Sequence, residues 1–128
     1  MKRKILGIVA LTGALLLTSC SHAPAEYSTI EDLRDAYVDA GGECPEFETH
    51  GPTDYSIEDA RCSPSAVIAI YGSHEDVQRE TSMVKNSVGK LLGGKRLIGE
   101  NWMINGPDLE KIQKKMGGEI ITFTKEDN

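Results

Sequence analysis

SAVIAIYGSHEDVQRETSMV, residues 65–84, is the stretch on which the fold class turns. After Ser65 come Ala66 to Tyr71, an uninterrupted apolar run bounded by Pro64 and Gly72. A run this short, rich in Val and Ile and lacking polar alternation, has the length and composition of a strand covered on both faces. Ser73 then offers a helix N-cap, and Val77, Val84 and Val88 return at helical spacing until Gly89 stops the pattern. A buried strand feeding an amphipathic helix requires a sheet with helices laid against it.

Downstream, KLLGGKR (90–96) reads as a glycine-rich connection, and RLIGENWMI (96–104) as one strand carrying Trp102, interrupted near Gly99. Gly106-Pro107-Asp108 opens a helix with proline in its first turn, where the missing donor costs nothing. Leu109, Ile112 and Met116 form its inner face, Gly117-Gly118 closes it, and EIITFT (119–124) supplies a last strand. Upstream, STIEDLRDAYVDAGG (28–42) predicts a helix with a Ser28–Glu31 capping box and an apolar face of Ile30, Leu33, Tyr37 and Ala40. Between them, CPEFET (44–49) predicts a short strand with Phe47 inward, HGPTD a loop, and YSIEDARC a second strand. The expected fold is a single small α+β domain, residues 28–124. It has a mixed or antiparallel sheet of four to five strands with three helices, followed by a tail at 125–128. The strand–helix alternation after residue 65 leaves a partly parallel α/β sheet as the alternative.

The first twenty residues read differently. Lys2, Arg3 and Lys4 precede thirteen uncharged, mostly aliphatic residues, Ile5 to Leu17. That length suits a signal-peptide core and falls short of the roughly 20 residues of a spanning helix. Leu17-Thr18-Ser19-Cys20 fits a lipobox, and on these residues the amino end resembles a bacterial lipoprotein precursor. The resemblance implies cleavage before Cys20, a diacylglyceryl thioether on its sulfur, and an acylated new amino group. Two or three acyl chains hold a membrane durably where one does not. Residues 1–19 are then signal peptide, and residues 20–27, the lipidated cysteine with SHAPAEY, a tether. The rest of the chain, with its early helix-Gly-Gly-Cys and its IGENW strand, is similar to small uncharacterised actinobacterial lipoproteins, a likeness that brings no activity with it.

Losing residues 1–19 removes three bases and no acid, leaving eleven bases against twenty acids, a net charge of −9. Residues 21–63 hold eleven of those acids against Arg34 and Arg61 alone. Such a chain lacks the Lys and Arg surplus that phosphate backbones or anionic headgroups demand, so no nucleic acid is expected and the acyl chains must do the anchoring. With Cys20 taken by lipid, Cys44 and Cys62 remain as an even pair in an exported protein. A structural disulfide between them would contribute on the order of 3 kcal/mol by loop entropy. Two thiols without a histidine at ligand spacing make a poor zinc site.

Other motifs dissolve on inspection. GKLLGGK (89–95) has phosphate-loop spacing, but a helix precedes it, a strand follows, and Arg96 stands where the magnesium-binding hydroxyl belongs. Ser82–Lys85 and Ser87–Lys90 both match S-x-x-K without companion motifs. Glu46, Glu48, His50 and Asp54 lie close in sequence and could meet a cation, yet their spacing is not that of a calcium loop, and a solvated acidic loop is the favoured reading. Trp102 is either an exposed interaction anchor or the largest piece of the core, and core is favoured.

These readings converge on a lipid-anchored protein on the extracytoplasmic face of the cell membrane. It is expected to be a monomer without cofactor or metal, serving as a binding or interaction module toward an envelope protein. Two alternatives are a small cell-envelope hydrolase, in which His50 or His74 joins two carboxylates in a pocket, and an inhibitory lipoprotein of the phage-exclusion type.

Overall fold

The computed structural model describes residues 24–87 and 93–124. Among these are three helices, α1 (Ile30–Asp39), α2 (His74–Asn86) and α3 (Leu109–Met116). The strands are β1 (Glu48–His50), β2 (Ser56–Ser63), β3 (Ala66–Tyr71), β4 (Gly94–Ile98), β5 (Trp102–Asn105) and β6 (Glu119–Phe123). They form one sheet in the order β1-β2-β3-β5-β4-β6, and every neighbouring pair is antiparallel. The fold is therefore α+β, with six strands rather than four to five, and the partly parallel alternative falls.

Tertiary packing explains the apolar run at 66–71. β3 is paired along its edges with β2 and β5, and its two faces each enter a packed cluster. Ile68 and Ile70 pack into a core with Ile30, Leu33 and Tyr37 of α1 and with Leu109, Ile112 and Met116 of α3. Ala69 and Tyr71 point the other way, onto Val77 of α2 with Ile98 and Met103. Two helices thus cover one face and α2 covers part of the other. Val67 lies on the face of Ala69 yet stays 38% exposed, because α2 does not reach that far.

The sixth strand comes from residues 96–104. The expected single strand is a hairpin, β4 and β5, turned at Gly99–Asn101 and closed by the Gly99 amide donating to the Trp102 carbonyl at 2.9 Å. Two helix starts also differ from expectation. Thr29, not Ser28, caps α1, its hydroxyl accepting from the Asp32 amide at 3.1 Å. α3 begins at Leu109 after Asp108, which adopts a left-handed conformation (φ 57°), so Pro107 lies before the helix and not in its first turn. Ser73 caps α2 as expected. Phe47 precedes β1, partly buried against the larger core, with the Arg34 guanidinium 4.4 Å above its ring. Val88, most of GKLLGGK and the tail 125–128 lie outside the described residues.

Candidate functional site

Cys44 and Cys62 form a disulfide across 18 positions of sequence, with Cys62 fully buried. Cys44 lies in the irregular segment before β1, where the Glu46 amide donates to the Cys62 carbonyl at 3.0 Å. Cys20, the expected lipidation site, lies outside the described residues.

Of the four residues in the acidic loop, the fold brings together two. Glu48 and His50 alternate onto one face of β1, opposite Arg61 and Asp59 of β2. Arg61 Nη2 donates to Glu48 Oε2 at 3.1 Å. His50 Nδ1 stands 3.2 Å from Asp59 Oδ1, and His50 Nε2 stands 3.9 Å from Glu48 Oε1. Glu46 and Asp54 are exposed and form no ion pair with them among the described residues. The register also carries Asp59 toward Glu80 of α2, which sequence spacing could not connect to it and which in turn feels the charge of Arg96 of β4. Asp59 Oδ1 and Glu80 Oε2 are both shielded from water without hydrogen-bond partners, the short His50 contact not having hydrogen-bond geometry. Burial pushes the Glu80 carboxyl above its usual range, Arg96 offsets part of this, and Asp59 adds to it. Burial lowers the Arg96 guanidinium, against the pull of Glu80, and its Nη1 rests 3.3 Å from the Met103 sulfur. No three His, Cys, Asp or Glu side chains among the described residues converge as metal ligands. His74 is occupied otherwise, its Nδ1 3.0 Å from the Glu100 carbonyl oxygen.

Trp102 is fully buried, which resolves its two readings in favour of the core. It also has a task that no sequence signal announced. Its Nε1–H donates to the Ala25 carbonyl at 2.9 Å. Beside it, Asn101 binds the Tyr27 backbone twice, accepting from the amide at 3.0 Å and donating to the carbonyl at 2.7 Å. The Tyr27 ring meets Trp102 edge-on at 6.2 Å. The segment read as a tether thus ends in residues fastened to the domain.

One cleft collects polar groups that the sequence scatters. It opens between the end of α1 and the start of α3, encloses about 190 Å³, and is lined by Tyr37, Glu43, Ser63, Ser65, Asp108 and Lys111 among others. Tyr37 forms the floor at 1% exposure. Its ring lies so close under Gly42 that a Cβ there would sit 2.3 Å from ring carbon Cζ. Burial raises the Tyr37 phenol, and the negative charges of Asp108 and Glu43 add to this, while the Glu43 amide facing the oxygen works against it. The phenol therefore stays neutral and able to donate. Lys111 lays its stem over Gly41 at the rim.

Searches against known protein families, curated proteins and solved structures find no match.

Proposed function

We propose that this protein is a lipid-anchored binding module on the extracytoplasmic face of the cell envelope, held by a diacylglyceryl thioether on Cys20. The observation that carries the reading is the Cys44–Cys62 disulfide, because such bonds persist in oxidising, exported compartments. The lipobox Leu17–Cys20 supports the anchor. With Ala25 fastened to Trp102, residues 21–24 are the remaining leash, reaching about 14 Å when fully extended. A partner would then be met close to the bilayer. Among the described residues no helix is long and apolar enough to cross a membrane.

Binding is preferred to hydrolysis on geometry. His50 has two carboxylates beside it, but it lies 52% exposed on an open edge strand where water is not excluded. The cleft at Tyr37 contains neither histidine nor thiol among its lining residues. Metabolic labelling with a palmitate analogue tests the anchor: wild type takes up label and Cys20→Ala does not. Label retained by the Cys20→Ala chain overturns the assignment.

A further inference from the structure

We propose that the cleft between α1 and α3 binds a small zwitterionic amino compound. Its ammonium group lies against Asp108 and Glu43 beside the Tyr37 hydroxyl, and its carboxylate against Lys111. The inference deepens the binding-module reading. It stands apart from the anchor, since labelling at Cys20 and occupancy of the cleft are measured separately.

Size sets the first limit. A cleft of about 190 Å³ holds the volume of roughly six waters, enough for an amino acid or the terminal residue of a peptide. Ligands of drug size ask for about 300 Å³ or more. Charge sets the second limit. Glu43 and Asp108 act on the Tyr37 oxygen from nearby, so that end of the cleft is negative, whereas Lys111 brings a positive group to the rim beside Gly41. A simple cation would be opposed by Lys111 and a simple anion by the two carboxylates. A zwitterion satisfies both ends. A sugar lacks its usual aromatic platform, because the Tyr37 ring is covered by Gly42.

Two further features point the same way. Tyr37 is almost wholly buried and lines the cleft, with the Glu43 amide facing its hydroxyl oxygen. Asp108 occupies the N-cap of α3 without making a side-chain cap hydrogen bond. The Asp108 carboxylate is therefore not spent on capping the helix and can face an ammonium.

The test uses the full isotope-labelled chain held in detergent and titrated with alanine, N-acetylalanine and alaninamide. Alanine is expected to shift the amides of Gly41, Gly42 and Lys111 saturably below about 10 mM, with each blocked form at least about tenfold weaker. Asp108→Asn keeps a residue that tolerates the left-handed backbone, and Lys111→Gln keeps an exposed stem. Each is expected to weaken alanine binding by about tenfold while leaving distant amides in place. Lys111→Gln serves alone should Asp108→Asn disturb the turn. Three indistinguishable probes, or no saturable shift up to about 10 mM, overturn the proposal.

Discussion

Gly99 has no side chain because Trp102 occupies the space: a Cβ there would stand 1.9 Å from the indole Cε2. Gly99→Ala therefore forces the largest core side chain off its seat and is expected to cost about 2–4 kcal/mol in urea unfolding. Loss below about 0.5 kcal/mol would show that the ring has room to move. Glu80 tests the shielded cluster. Its carboxyl is raised in the folded protein, so its contribution is fully present below the ordinary value of 4.5 and is lost as pH rises through the folded value. The stability difference between wild type and Glu80→Gln should accordingly fall as pH climbs from about 4.5 to 7, read from unfolding curves at each pH. A constant or rising difference contradicts the burial argument. At this scale the sequence was partly legible. Ile30, Leu33, Tyr37, Ala40, Leu109, Ile112 and Met116 are all buried as their spacing implied. The Asp59–Glu80–Arg96 grouping was not, since it depends on strand register and on which face α2 covers.

The helices were readable because caps and periodicity are local. Ser73 accepts from the Asp76 amide at 3.2 Å and Thr29 from the Asp32 amide, each satisfying one orphan donor. Ser73→Ala and Thr29→Ala are each expected to cost about 1 kcal/mol in thermal or urea unfolding. Equal stability of Thr29→Ala with wild type, together with loss in Ser28→Ala, would return the cap to Ser28. The α1 displacement by one residue shows why: Ser28 and Thr29 carry the same chemistry, and only the backbone at Thr29 (φ −133°, ψ 156°) selects one. The β4–β5 hairpin escaped notice for a different reason. LIGENWMI has apolar residues on both sides of Gly99, so the turn hides in what looks like one interrupted strand. Pairing of Ile98 with Met103, and the Gly99 bond to the Trp102 carbonyl, are local contacts, but the turn is selected by the burial of Trp102 in the core.

At the scale of the whole molecule, the disulfide and the pinned amino-terminal segment do related work. The Cys44–Cys62 bond restrains the irregular segment before β1, in the most acidic part of the chain, where apolar contacts are sparse. By loop entropy it offsets on the order of 3 kcal/mol of disorder in the unfolded chain. Ala25 and Tyr27, held by Trp102 and Asn101, fasten the segment before α1 to the domain. The pair of cysteines could be read from parity alone. The fastening could not, because an indole N–H seeking a carbonyl 77 residues away leaves no local trace. Anchor, disulfide and export belong to one account, and the intact mass of the protein extracted from its envelope tests them together. The account predicts a chain beginning at Cys20, heavier by a diacylglyceryl group with or without a further acyl chain, and lighter by two hydrogens for the Cys44–Cys62 bond. An unmodified chain still carrying residues 1–19, or one with both thiols free, would contradict it.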